Sequence, residues 1–514
     1  MGRKTCRRAA WLLCACLTFH SAGAQNTVTE KTDAETIHYN PMLFGQFIEH
    51  FDNQVYGGIF DPGNPLSDEE GFRKDVIQAL RDIHTSIVRW PGGCFVSSYH
   101  WKYGVGKNRE PMYDKAWQVE DPNTFGTDEY VSWCRKVGCE PYICTNAGTG
   151  TPEEMSDWVE YCNLTMGKWG RMRMENGHPE PYNVKYWSVG NENYGPWEIG
   201  AHTPEEWAPL VSESAKMMLA VTKDAQLLAA ATTDPNWTHP LLKAAGRYLN
   251  YISIHGYWDA LWLNNNPSPY EKCMMWTTLP EKQIQDAIKL LEDTGFGGGK
   301  IKIAFDEWNL RGWHHPWHGN LREGFDIEAR RKNDLNETYT MADALFSACF
   351  LNACLRHSDI VDIACFAPIV NTRGAVFVHK DGLVKRSTYY VFQMYTNLLE
   401  PYYVPAECQY EEYRHEDGST PMMDVAITRN EEGTHYACAV VNKDPEKAHS
   451  IVLNVAGKVR SGKVKATLLS GNSADDYNDI GRENVLPRET ELRMKDGMVE
   501  IPAHTLAVLD INVK

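Results

Sequence analysis

The chain has 514 residues, 43% of them hydrophobic, and its 68 acidic against 51 basic side chains give a formal charge of −17. That acidity argues against nucleic acid or an anionic membrane as the main partner, and the length exceeds what one ordinary core serves, so one large and one smaller domain are expected. Of the 14 cysteines, Cys6, Cys14 and Cys16 sit near the N-terminus and the other eleven show no CxxC pair or regular spacing, so no disulfide framework is suggested.

The chain opens with Arg3, Lys4, Arg7 and Arg8, an apolar run from Ala9 to Phe19 and the small residues Ala22-Gly23-Ala24. This is the pattern of a secretory leader over 1–24, cleaved before Gln25, and it predicts an exported protein, periplasmic or extracellular. Removing it takes four basic and no acidic residues and moves the charge from −17 to −21. The apolar run is shorter than the roughly 20 residues that span a bilayer, so no membrane span is expected.

Residues 25–41 read as a strand-like segment that joins a C-terminal domain. Over 42–396 eight short β-rich runs alternate with helical patterns, beginning at Leu43, Ser86, Glu140, Lys185, Gln226, Tyr251, Lys300 and Asp362. Most are apolar at consecutive positions, as strands buried on both faces are. Ser67 with Glu70, Thr151 with Glu154 and Thr203 with Glu206 have capping-box spacing, with Pro152 and Pro204 at the first helical position of the last two. Strand then helix, eight times, predicts an α/β fold of the (β/α)8 TIM-barrel type. Over 397–514 the pattern becomes short alternating runs between polar turns, read as an antiparallel β-sandwich.

Two glutamates stand where barrel chemistry is carried, just after strands: Glu192 in WSVGNEN after the fourth run and Glu307 in KIAFDEWN on the seventh. Glycoside cleavage needs two carboxyls across the scissile bond. Neither is persuasive alone, since Asn-Glu also begins helices and surface loops; their joint placement, beside aromatic residues, carries the argument. Asp306 and Glu307 are neighbours, so on a regular strand only one faces the substrate. WNLRGWHHPWHGN places His314, His315 and His318 near Trp313 and Trp317; without the helical spacing of zinc motifs, it reads as cleft wall or packed loop rather than metal site.

The motifs FIEH, RWPGG, GNEN, DEWN and VNTRG, in register over nearly the whole chain, resemble family 51 of the glycoside hydrolases, the retaining α-L-arabinofuranosidases. The resemblance implies that Glu192 is the general acid/base and Glu307 the nucleophile, and that Glu49, Arg89, Cys94, Asn191, Tyr257 and Trp308 line the sugar site. It implies an exo-acting enzyme on arabinan, arabinoxylan or their oligosaccharides, without metal or cofactor, and a possible homo-oligomer. Cys94 and Pro368 stand where the resemblance leads one to expect polar contacts to the sugar; the thiol either donates weakly or fills space. Like charge is expected to hold Glu192 protonated beside Glu307, at the carboxyl separation of about 5 to 5.5 Å found in retaining enzymes. An endo-acting β-glycanase on the same barrel, or a non-catalytic carbohydrate-binding protein, are the alternatives.

Overall fold

Alternation of side chains along eight strands separates two layers of core. The computed structural model describes residues 26–261, 266–312, 332–457 and 460–513; the leader over 1–24 and the histidine loop around 313–318 lie outside the described residues. The barrel strands are β1 (Gly45–Phe47), β2 (Ile87–Trp90), β3 (Glu140–Thr145), β4 (Tyr186–Val189), β5 (Gln226–Ala230), β6 (Tyr251–Asp259), β7 (Lys302–Arg311) and β8 (Val361–Phe366). Each pairs in parallel with the next, and Cys365 and Phe366 of β8 meet Gly45 and Gln46 of β1 to close the ring. All eight expected runs are these strands. Tyr142, Leu228, Tyr251, Ala304 and Ile363 pack together in one cluster, while the adjacent residues Ile143, Leu227, Ile252, Ile303 and Ala364 join the larger core with the surrounding helices. With both faces covered, both sets must be apolar, hence the unbroken apolar runs.

The expected helix starts divide three ways. Thr203 and Glu206 form the reciprocal capping box. Thr151 accepts from the Glu154 amide, but the Glu154 carboxylate is turned to His100 instead. Ser67 caps nothing: its hydroxyl donates to the Asp61 carbonyl, and the helix begins only at Lys74.

An eleven-stranded sheet forms the second domain. Met423–Arg429, His435–Asn442, His449–Asn454, Gly462–Ser470 and Thr505–Asn512 are the runs expected from their alternation. Leu486–Lys495 escapes that reading because LPRETELRMK is largely exposed and charged on both faces. Asn26–Glu30, ahead of the barrel, pairs in parallel with His449–Asn454 and antiparallel with Ala406–Gln409; every other pairing in the sheet is antiparallel. The sheet has its own core around Val28, Met423, Val440, Ile451, Val499 and Leu509. The eleven cysteines in the described residues are all free, and Cys134, Cys349, Cys354 and Cys365 are buried as small apolar residues. No helix among the described residues is long and apolar enough to cross a membrane.

Arg356, the last residue of the helix Met341–Arg356, joins barrel to sheet. Its guanidinium reaches Glu281 at 2.7 Å and Asp424 of the second domain at 3.1 Å. Burial alone would raise the Glu281 carboxyl, but hydrogen bonds from His357 and Arg356 prevail and hold it at about 2. Arg356→Ala is expected to cost roughly 2 kcal/mol, because two partly buried carboxylates lose their cation. The stability that a depressed carboxyl contributes is present above its ordinary value and fades as pH falls toward about 2. The deficit in thermal midpoint should therefore be largest above pH 4.5 and shrink in acid.

Candidate active site

Glu192 sits where β4 has just ended and the backbone turns sharply: Gly190 has φ +72° and Glu192 itself φ +45°, a left-handed conformation that costs a side chain of this kind about 1 kcal/mol or more. The turn is fastened by the Asn193 side chain, whose Oδ1 accepts from the Asn191 amide at 3.0 Å. The carboxylate so presented accepts from His255 Nδ1 on Oε1 and from Trp197 Nε1 on Oε2, both at 2.8 Å.

On β7 the expectation that Asp306 and Glu307 face opposite ways is corrected. The pairing with β6 shifts between Ser253 and His255, and that with β8 between Phe305 and Trp308. This irregularity breaks the two-residue alternation locally, and both carboxylates turn inward. Asp306 accepts from the Ser253 hydroxyl at 2.6 Å and the Tyr142 phenol at 2.5 Å. Glu307 accepts from the Tyr257 phenol and from Arg89, both at 2.7 Å. An oxygen of Glu192, an oxygen of Glu307 and a ring nitrogen of His255 all lie within 4.8 Å of one another.

Trp308 is the residue among those singled out that the structure places elsewhere. It points outward, fully buried, with its ring stacked on Phe350 at 3.6 Å between centroids. Alternation resumes after Glu307, so its neighbour belongs to the layer between strand and helix, and Trp308 is a packing residue.

The others converge. Arg89 on β2, completely buried, donates to Glu307 Oε2 and, at 2.8 Å, to Asn191 Oδ1, with its Nε 3.4 Å from Asp306. Glu49 follows β1 and accepts on Oε1 from the Phe95 amide and the Trp117 indole, both at 3.0 Å. The glycines of RWPGG make room for it. A Cβ on Gly92 would lie 2.3 Å from Glu49 Cγ, and one on Gly93 3.1 Å from Oε2. Cys94 is half-buried and its thiol stands beside Glu198. Burial, and then the charges of Glu198, Glu49 and Glu192, push the thiol up, so it is no nucleophile. Pro368 is buried; near it, Arg373 of VNTRG donates to the Tyr257 phenol at 3.2 Å. His255, Trp197 and Glu198 escape the sequence reading, and Asp306 enters it only as the neighbour expected to face away from Glu307. His255, in the stretch IHGY that also holds Tyr257, is the one of the first three that stands inside a recognisable strand end.

A family model described as the alpha-L-arabinofuranosidase 1 domain matches residues 79–274, and one described as the alpha-L-arabinofuranosidase C-terminal domain matches 306–505. Alpha-L-arabinofuranosidase C of Emericella nidulans is 33% identical over 501 residues, covering 91% of this chain and 94% of that one. The GH51 alpha-L-arabinofuranosidase structure from Thermotoga petrophila aligns with a TM-score of 0.83 at 32% identity, over 95% of this chain and all of the other. The chain belongs to family 51 of the glycoside hydrolases. It is an α-L-arabinofuranosidase, and an intracellular exo-alpha-(1->5)-L-arabinofuranosidase of Halalkalibacterium halodurans is a further relative, 30% identical over 87% of this chain and 90% of that one.

The charge balance of this family 51 site differs from the expectation that Glu192 is held protonated. Burial favours the neutral acid, but the hydrogen bond and charge of His255, with Trp197 and Arg89, outweigh it and hold the Glu192 carboxyl below its ordinary value. The proton resides instead on His255. Burial opposes its charge, yet Glu307, Asp306 and Glu192 together push it up to about 10. Glu192, His255 and Glu307 are close enough to share a metal ion; with the proton on its ring, His255 is the counterion of the two carboxylates. A histidine raised in the folded state adds stability that is complete below its ordinary value of 6.5 and is lost as pH rises through about 10. Thermal midpoints of the wild type should accordingly fall between those limits, and His255→Asn should melt lower at pH 6 while showing a flatter decline toward pH 10.

Proposed function

We propose that this arabinofuranosidase is an exported, exo-acting enzyme that releases terminal α-L-arabinofuranosyl units from arabinan, arabinoxylan or derived oligosaccharides by double displacement, with Glu192 as acid/base and Glu307 as nucleophile. The observation that carries this reading is the approach of the two carboxylates, an oxygen of each within 4.8 Å. Retaining glycosidases separate their carboxyls by about 5 to 5.5 Å, whereas inverting ones leave roughly 6.5 to 9.5 Å for a water.

Arg89 and Tyr257 hold one oxygen each of Glu307, aiming the carboxylate at the anomeric carbon. As it attacks, Glu192 delivers a proton to the leaving oxygen and the glycosyl–enzyme ester forms. That proton comes across the 2.8 Å contact from His255 Nδ1 once the substrate excludes water from the site. In the second half Glu192, again a carboxylate, takes a proton from water as the water opens the ester. Glu49, Arg89, Cys94, Asn191 and Tyr257 surround the terminal sugar. Exo action accords with a nucleophile and an Asn191 only 2% and 1% exposed, which suits a chain end better than a long glycan lying in an open groove.

Glu307→Ala is expected to lower kcat on an aryl α-L-arabinofuranoside by roughly 10³-fold or more, and Glu192→Ala to lose activity chiefly on unactivated arabino-oligosaccharides. Nuclear magnetic resonance of the first product should show the α anomer; the β anomer, or clear cleavage of soluble β-glucan without action on the arabinoside, overturns the reading. Export rests on the leader pattern, and the N-terminus of protein recovered outside the cytoplasm should begin near Gln25.

A further inference from the structure

A third carboxyl stands beside the reacting pair with no part in these steps. Glu198, six residues after Glu192 on the same loop, is 6% exposed. Two donors converge on it, the Ser97 hydroxyl at 2.6 Å and the Asn191 amide Nδ2 at 2.9 Å, and the Cys94 thiol stands beside it. Asn191 directly precedes Glu192, and its Oδ1 is already committed to Arg89, the residue that grips Glu307. The Asn191 amide is thus held at both ends, by a cation on one side and a carboxyl on the other. The hydrogen bonds from Ser97 and Asn191 favour the ionised form of the carboxyl.

We propose that Glu198 is a positioning residue for the arabinofuranosidase reaction: it locks the Asn191 amide against Arg89, and its negative charge keeps Glu192 able to carry the proton that the leaving group receives. This rests on the reading of Glu192 as acid/base. Burial, followed by the charge of Glu192, pushes Glu198 up to about 7. The interaction is reciprocal, so an ionised Glu198 strengthens the hold of Glu192 on a proton. It thereby opposes His255, Trp197 and Arg89, which all act the other way. The titratable groups facing Glu198 are Glu192 and Tyr194 on its own loop and Cys94 on the segment after β2, with Glu49 behind the thiol. Arg89 reaches it through Asn191, and His255 through Glu192.

Glu198→Gln keeps the shape and the acceptor for Asn191 and removes the charge. We would measure kcat/KM against pH on an α-1,5-linked arabino-oligosaccharide, whose leaving group needs a proton, and on 4-nitrophenyl α-L-arabinofuranoside, whose leaving group scarcely does. Loss on the oligosaccharide should exceed loss on the aryl substrate by about tenfold, a fraction of what a general acid supplies. The alkaline limb on the oligosaccharide should move to lower pH by ~0.5 unit or more. Glu198→Ala, which also frees Asn191, should in addition raise KM on both substrates. Equal losses on the two substrates with an unmoved alkaline limb would mean a structural role only and overturn the proposal, as would wild-type behaviour of Glu198→Gln. Glu192→Ala, assayed in parallel, separates the two levels: if it shows no dependence on the leaving group, the acid/base reading itself falls, and this proposal with it.

Discussion

The buried guanidinium of Arg89 is the constraint around which the barrel mouth is organised. Removing a charge from water is expensive unless it is paired and hydrogen-bonded, and Arg89 meets that demand with Glu307, Asp306 and Asn191 together. Asp306 has no part in the proposed cleavage. Burial would neutralise it, but Arg89, His255 and Ser253 keep it low, so it fixes Arg89 and His255 and leaves Glu307 and Glu192 for the proposed chemistry. The irregular register of β7 is what allows one strand to supply two inward carboxylates in succession, and the paired glycines after β2 are what allow Glu49 to lie against the same floor.

This arrangement leaves Glu192, the proposed acid/base, in an unusual position. A general acid works best when its affinity for a proton matches the working pH, yet the free site holds Glu192 as a carboxylate and stores the proton on the adjacent imidazole. The left-handed backbone at Glu192 belongs to the same compromise: local strain is accepted where it aims a carboxylate at a partner on another strand.

The barrel was legible because strands buried on both faces are apolar at most positions, a signal that survives Arg89 on β2 and the two carboxylates in the second half of β7. The site was legible where a residue's place follows from a strand end, as for Glu192, Arg89 and Tyr257. It was not legible where register decides. The alternation rule correctly opposes Glu307 and Trp308, so a tryptophan beside a catalytic strand end is core and not sugar platform; the same rule fails one residue earlier, at Asp306, because a shift in pairing leaves no compositional mark. Glu198 was hidden for another reason: its partners Ser97 and Asn191 come from two loops that only the closed barrel brings together. The strand Leu486–Lys495 carries its stability in pairing with neighbours rather than in an apolar face, and Ser67 shows that cap spacing alone starts no helix.

The sheet that follows the barrel takes in a strand from ahead of it, where Asn26 and Ser450, 424 positions apart, are joined by a hydrogen bond. Synthesis therefore releases one strand of this sheet first and its parallel partner only after the whole barrel has been made. Until then Val28 lacks the core it is to enter, and both strands present open edges of the kind that pair with the wrong chain. The second domain cannot mature as the chain emerges, and its completion is a late, long-range closure of the sort that makes folding slow and assistance valuable.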